Sequence, residues 1–311
     1  MPFAVRPHFH WRLRTRSLAL GERTLLMGIL NLTPDSFSDG GRFLDPAAAL
    51  RHALQMLDDG ADILDLGGES TRPNSVSIAP AEEQARVLPV LRDLLAARPD
   101  AILSIDTYHA ETARLAVDAG AEIVNDVSGH LWDPAMSATC AALGCGAVLM
   151  HTRGRPQQWR TQPALALGEV MPLVLSDLQA RTHAALAAGV ARDSIVLDPG
   201  FGFGKLLDEN YPLLAQLDQL QALGFPILAG LSHKSFLTRG PAATPPSSPS
   251  APLLSSRSAA EGSASSATDP TTLPTTVANT AAILAGAHIL RVHDVPPARA
   301  AAAIADRLLA G

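Results

Sequence analysis

The sequence predicts an α/β fold made of a single (β/α)₈ barrel, with an N-terminal β-hairpin and a low-complexity insertion in the seventh βα loop. Three observations predict it. Eight short apolar runs alternate with eight segments of 3.6-residue apolar periodicity, a pattern that implies parallel strands joined by helices. Six of the helical segments run into a glycine before the next strand, at Gly60, Gly120, Gly144, Gly189, Gly224 and Gly286, as a left-handed helix cap requires. Polar residues recur at the C-terminal end of every run, where barrels of this kind build their sites.

The predicted strands are residues 24–30, 62–66, 101–105, 122–125, 147–150, 194–197, 225–229 and 288–292. The predicted helices are residues 45–59, 81–97, 110–119, 134–143, 169–188, 210–223, 276–285 and 297–309. Eight units of this length close into a barrel rather than a doubly wound sheet. Residues 8–24 read as a hairpin turning at Gly21 and lying across the N-terminal mouth. Residues 241–274 are rich in Ala, Ser, Pro and Thr without apolar periodicity, and read as a flexible insertion rather than a second domain.

Composition narrows the function. The 311 residues are 47% hydrophobic but 4% aromatic, so the core is built from Ala, Leu, Val and Ile. A net charge of −6 gives no field to draw in nucleic acid, so an anion must be caught locally. Residues 275–290 form the longest uncharged apolar stretch, too short and too polar for a membrane span. Residues 1–16 contain no apolar core of a signal peptide, which points to the cytoplasm. Cys140 and Cys145 make neither a disulfide framework nor a zinc site and read as small core residues. Two of the 24 cations are lysines, Lys205 and Lys234, in a chain that otherwise uses Arg. An ammonium is a compact point charge that a guanidinium cannot replace at a tight carbonyl or phosphate.

The strand ends supply Asn31, Asp65, Asp106, Asn125, Met150, Asp198, Lys234, Arg291 and His293. Asp106, Asn125, Asp198 and Lys234 combine acceptors, an amide and an ammonium, a set complementary to an amino-pyrimidinone edge. The alternative for Asp106 and Asp198 is that they cap the following helices. Arg291 and His293 stand two apart on one strand and share a face. With Asn31, Thr71 and Arg72 they form an anion cradle. The run from Gly200 to Gly204 lacks the spacing of a phosphate-binding glycine loop, and reads as a close backbone approach to a planar ligand with Phe203 as a wall. No Ser/His/Asp triad and no Cys/His metal cluster is present, so the chemistry rests on positioning and charge stabilisation.

Four motifs resemble the signatures of the dihydropteroate synthases: Asn31-Leu-Thr-Pro-Asp35-Ser-Phe37-Ser-Asp-Gly-Gly41, Asp65-Leu-Gly-Gly-Glu-Ser-Thr71-Arg72-Pro73, Leu197-Asp-Pro-Gly-Phe-Gly-Phe203-Gly-Lys205 and Arg291-Val-His293-Asp294. The resemblance runs from about Leu25 to the C-terminus outside the insertion. It implies a TIM barrel that joins 4-aminobenzoate to a dihydropterin bearing a CH₂-diphosphate, with Mg²⁺ and pyrophosphate release, usually as a homodimer. It implies that Asn31 ligates Mg²⁺ and that Thr71 and Asp106 contact the pterin diphosphate. Asn125, Asp198 and Lys234 would hydrogen-bond the pterin, with Met150 in the same pocket. Arg291 and His293 would hold the diphosphate, and Arg291 would stack on the ring. Phe37, Pro73, Phe203 and Ser235 would form the aminobenzoate pocket. Asp35, Phe37 and Arg72 would sit on closing loops, with Asp35, Asp106, Lys234 and Arg291 as the catalytic set. The reaction is expected to be S_N1-like, because the ring delocalises charge from the methylene carbon and Asp106 stabilises the resulting cation. Two departures stand out. His233 occupies a place where the family usually has Arg, and the insertion follows Ser235 where the family enters a helix directly. A catalytically inactive pterin-binding paralogue and a methyl-folate:corrinoid methyltransferase barrel are the alternatives. The intact Asn31, Arg291 and His293 argue against the first, and the intact Thr33-to-Phe37 loop against the second.

Overall fold

A computed structural model describes residues 6–33, 46–70, 77–239 and 269–310. Asp35, Phe37, Thr71, Arg72 and Pro73 lie outside the described residues, as does most of the 241–274 segment.

The hairpin comes first, β1 (Phe9–Arg12) and β2 (Ser17–Leu20), paired antiparallel. It turns through residues 13–16, where the Leu13 N–H donates to the Arg16 carbonyl at 2.8 Å, and not at Gly21. Gly21 instead follows β2 with φ +116°, and a Cβ there would stand 2.6 Å from the Pro7 carbonyl oxygen. The glycine thus signals a close backbone crossing, which sequence alone does not separate from a turn.

Eight parallel strands follow: β3 (Leu25–Asn31), β4 (Ile63–Gly67), β5 (Leu103–Asp106), β6 (Ile123–Asp126), β7 (Gly146–Met150), β8 (Ile195–Asp198), β9 (Leu228–Ala229) and β10 (Ile289–Val292). Their order is β8-β7-β6-β5-β4-β3-β10-β9, and a parallel bridge between Leu197 and Ile227 closes the ring. β9 is shorter than predicted because Pro226 has no N–H to give the ladder; its carbonyl still accepts from Leu197 N–H at 2.9 Å. The helices are α1 (Pro46–Asp58), α2 (Pro80–Ala97), α3 (Ala110–Asp118), α4 (Met136–Leu143), α5 (Val170–Ala187), α6 (Asn210–Ala215), α7 (Phe236–Arg239), α8 (Thr272–Leu284) and α9 (Val295–Leu309). All six predicted helix-ending glycines have positive φ.

Two helical boundaries differ from expectation. The predicted 210–223 helix is α6 followed by 3₁₀ turns over Leu217–Leu223. α8 begins at Thr272 rather than residue 276, inside the stretch assigned to the insertion. Asp269 accepts from the Thr271 N–H (2.8 Å) and hydroxyl (2.7 Å) just before it. Pro274 sits in the first turn, where no N–H is needed.

Strand periodicity sorts the barrel into an outer and an inner set. Leu26, Leu30, Leu64, Leu66, Leu103, Ile105, Val124, Leu149 and Leu197 pack outward into one core beneath the helices. Met27, Ile63, Ile123, Val148, Val196, Leu228 and Ile289 pack inward, around Trp11, Leu13 and Leu20 of the hairpin. Trp11 is fully buried and donates from Nε1 to the Ser194 carbonyl at 2.8 Å, so the hairpin plugs the N-terminal mouth, as predicted. Cys140 and Cys145 are buried in the outer core.

Candidate active site at the C-terminal mouth

The site is the next inward layer of the barrel. Two residues beyond Ile63, Ile123, Val148, Val196 and Ile289 come Asp65, Asn125, Met150, Asp198 and Arg291, and the period of two turns each one inward. Ser104 and Asp106 follow the same parity on β5. The apolar lower layer therefore holds a polar upper layer in a dry floor.

Arg291 ties that layer together. Its Nε donates to Asp65 Oδ2 at 2.6 Å and its Nη2 to Asp106 Oδ2 at 2.5 Å. Asp65 Oδ2 also accepts from Asn125 Nδ2 at 2.8 Å, while Asp65 Oδ1 is buried without a partner among the described residues. Burial works against the Arg291 charge, but Asp65 and Asp106 outweigh it and raise its pKa. Asp106 is pushed from 3.8 up to about 7; burial dominates, Arg291 opposes it, and Asp65, Glu83 and Asp126 add to it. It makes no cap to α3, whose N-cap is His109 without a side-chain bond.

Asp198 accepts from the Gly200 N–H at 2.7 Å, and burial raises its pKa. Lys234 stands with Nζ 3.9 Å from the centroid of the Phe203 ring, which in turn meets Trp159 edge-on at 5.0 Å. Burial lowers Lys234 to about 8, against the pull of Asp198. Lys205 has a different task. It is buried and donates to the Gly200 carbonyl at 2.7 Å, bracing the loop that carries Phe203. Two glycines of that loop answer to protein backbone: a Cβ on Gly200, at φ +66°, would fall 1.9 Å from the His151 carbonyl oxygen, and one on Gly204 would fall 2.6 Å from the Arg153 carbonyl oxygen.

His293 is partly exposed and bonds Ser232 Oγ through Nδ1 at 2.9 Å. The His233 ring stacks on it, centroids 4.6 Å apart and 18° from parallel, and reaches Asp294 Oδ2 at 2.9 Å. Ser235 is exposed ahead of α7, Met150 is buried, and Asn31 is half-buried at the end of β3 beside Gly67. His151, adjacent to Met150, points outward by parity. It pairs with Asp177 (3.1 Å), and burial pushes it down to about 3.

Sequence reasoning gave no role to two features. Asp65 was legible as a carboxylate in an otherwise apolar strand at the inward parity of Ile63. At the rim, Glu69 accepts from Tyr108 and contacts His109 at 3.2 Å, Tyr108 meets Trp132 edge-on at 4.9 Å, and Arg155 lies over Trp132 at 5.1 Å. No short-range signal joins residues so far apart in sequence. A cavity of about 470 Å³ beside His8, Phe9, Arg192 and Phe225 opens at the opposite end of the barrel and shares no residue with this site.

A closed parallel barrel with a polar upper layer of three acids, an amide, an ammonium and a guanidinium defines an enzyme that binds a flat polar ring at its C-terminal mouth. The family model described as pterin binding enzyme matches residues 27–293, and the chain belongs to that family. Within it, the relatives it resembles are dihydropteroate synthases. That of Mycobacterium leprae is 47% identical over 214 residues, 69% of this chain and 74% of the relative. That of Synechocystis sp. is 38% identical over 290 residues, 93% and 91%. The solved structure of Xanthomonas albilineans dihydropteroate synthase with 4-aminobenzoic acid matches with a TM-score of 0.81 at 35% identity, covering 98% of this chain and all of that one. The same enzyme in complex with 7,8-dihydropteroate matches at 0.75 and 34%, covering 94% and 97%.

Proposed function

We propose that the chain is a dihydropteroate synthase, joining (7,8-dihydropterin-6-yl)methyl diphosphate to 4-aminobenzoate to give 7,8-dihydropteroate and pyrophosphate. The observation that carries this reading is the convergence of Asp106, Asn125, Asp198, Lys234 and Arg291 on the C-terminal mouth of the barrel. Asp198, the Asn125 amide and the Lys234 ammonium match the donors and acceptors of a pterin edge. Phe203 gives the ring a wall.

The methylene C–O bond breaks with its electron pair leaving on pyrophosphate. The arylamine nitrogen then forms the C–N bond and loses a proton to solvent. Asp106 faces the positive charge that develops on the pterin, and such a charge favours its ionised form. The amine is already a nucleophile, so positioning and electrostatics carry the rate. His293 and, outside the described residues, Thr71 and Arg72 receive the diphosphate. In this reading Asp35, Phe37 and Arg72 belong to the closing loops, and Phe37, Pro73, Phe203 and Ser235 receive the aminobenzoate.

Among the described residues no group of three or more His, Cys, Asp or Glu forms a metal cage. Asn31, half-buried at the end of β3, offers a hard amide oxygen that suits Mg²⁺, which would be held chiefly by the substrate diphosphate. Mg²⁺ bound there with the diphosphate would neutralise charge on the departing oxygens. The protein works as a cytoplasmic homodimer in this reading. Leu273 and Val277 on α8 and Ile304 and Leu308 on α9 are exposed apolar side chains on two packed helices, which suit a subunit contact. Among the described residues no helix is long and apolar enough to cross a membrane. Residues 241–268 act as a spacer within the one domain.

The test is a pyrophosphate-release assay with the pterin diphosphate, with and without 4-aminobenzoate and Mg²⁺. Product that requires all three supports the reading. No aminobenzoate-dependent product at saturating substrates overturns it and favours a pterin-binding paralogue.

A further inference from the structure

We propose that Asp65 is the positioning residue of this pocket: its carboxylate sets which way the Asn125 amide faces and fixes the plane of the Arg291 guanidinium. The inference rests on the pterin-binding reading above and assigns a task to a residue that reading leaves unused.

Asp65 is fully buried at the middle of β4, one strand from Asp106 and two from Asn125. A single oxygen, Oδ2, takes both neighbours, Arg291 Nε at 2.6 Å and Asn125 Nδ2 at 2.8 Å. A carboxylate only accepts, whereas an amide has one accepting and one donating end. With Asp65 beside it, Asn125 must turn its NH₂ toward β4, and its Oδ1 is thereby held as the acceptor available to a ligand N–H. Without Asp65 the amide has no reason to prefer that orientation over its flip.

The same oxygen acts on Arg291. Bonds from Nε to Asp65 and from Nη2 to Asp106 grip one edge of a planar fork at two points, which fixes its plane. A flat ring stacks on a guanidinium only if that plane is set beforehand. Asp106 alone would hold one point and leave the group free to pivot.

The remaining oxygen, Oδ1, is buried with no partner among the described residues. A carboxylate buried with one oxygen unsatisfied is a poor stabiliser of a fold. Its geometry is instead what a ligand pocket needs: both donors it orients belong to the set that faces the pterin.

Binding of 6-hydroxymethyl-7,8-dihydropterin, measured by calorimetry on the full chain, tests this with three variants. Asp65→Ala should weaken the probe at least thirtyfold and leave the KM for 4-aminobenzoate within twofold. Asp65→Asn keeps one acceptor oxygen and should restore affinity to within about fivefold of the parent; a role resting on charge would not show that rescue, and a role resting on packing alone would be rescued equally by Asp65→Val. In an Asn125→Ala background the cost of Asp65→Ala should shrink at least threefold, because part of its effect passes through that amide. An Asp65→Ala protein that binds within twofold of the parent overturns the proposal. So does an Asp65→Asn protein as weak as Asp65→Ala, or a cost unchanged in the Asn125→Ala background. Should Asp65→Ala fail to melt cooperatively, Asp65→Val, which fills the space and suits a strand, is judged by the same criteria. If the parent neither binds the probe nor forms dihydropteroate, it is the functional reading that fails, and the two failures are told apart.

Discussion

Asp106→Asn tests the electrostatics of the site through stability rather than rate. The Asp106 carboxyl is pushed from 3.8 to about 7, chiefly by burial and against the pull of Arg291. Below pH 3.8 both the folded and the unfolded chain hold its proton. Between there and about pH 7 only the folded chain does, so stability from this group is present on the acid side and is lost as pH rises through 7. At about 1.4 kcal/mol per pH unit over the two units from pH 5 to the folded value, the loss between pH 5 and pH 8 is about 2–3 kcal/mol. Asparagine does not titrate. The difference in unfolding free energy between Asp106→Asn and the parent should therefore shift in favour of the variant by about that amount from pH 5 to pH 8. Urea titrations at the two pH values measure it, and the double difference cancels every other titrating group that the two proteins share. A difference that stays constant within about 0.5 kcal/mol, or moves the other way, would refute the claim that burial dominates at this carboxyl. Activity should fall sharply in the same variant, because the residue proposed to face the pterin has lost its charge.

Other expectations follow from the same geometry. Lys234→Ala should weaken pterin binding by about 1.5–3 kcal/mol with the fold intact, read by calorimetry and melting. Because burial lowers Lys234 to about 8, affinity in the parent should also decline as pH rises through that value. Trp11→Ala, at the plugged end, should cost about 3–5 kcal/mol of stability while leaving both KM values unchanged within twofold. α7 and α8 pack against each other, so a short Gly/Ser linker in place of residues 241–268 should leave Tm within about 3 °C; a larger drop would show that the segment packs. Val277→Asp with Ile304→Asp should convert the proposed dimer to monomer in sedimentation; an unchanged mass would remove α8 and α9 from the contact.

The number and order of strands and helices were legible in the chain because each rests on short-range chemistry. Apolar runs, helical periodicity and helix-ending glycines are local signals, and the positive φ at Gly60, Gly120, Gly144, Gly189, Gly224 and Gly286 shows them at work. Gly21 misled because a left-handed residue at a turn and one at a backbone crossing look alike in sequence; the Pro7 carbonyl that demands it is found only in three dimensions. The motifs that resemble a known family contain Asp65, Asp198 and Arg291, and strand parity carries the side chains of Asp106, Asn125, Asp198 and Arg291 to the polar layer at the C-terminal mouth.

What the sequence determined by itself was therefore the barrel, the end of it that carries chemistry, and the residue types gathered there. The tertiary structure alone decided how those residues share their charges. Asp65, Asp106 and Arg291 are brought together from three strands, with Asp65 and Arg291 226 positions apart in sequence, and one oxygen of Asp65 serves two partners. Burial, which no sequence prints, lifts Asp106 to about 7 and lowers Lys234 to about 8. It is also burial that separates the two lysines, setting Lys205 under the glycine loop as a brace and leaving Lys234 against Phe203 at the mouth.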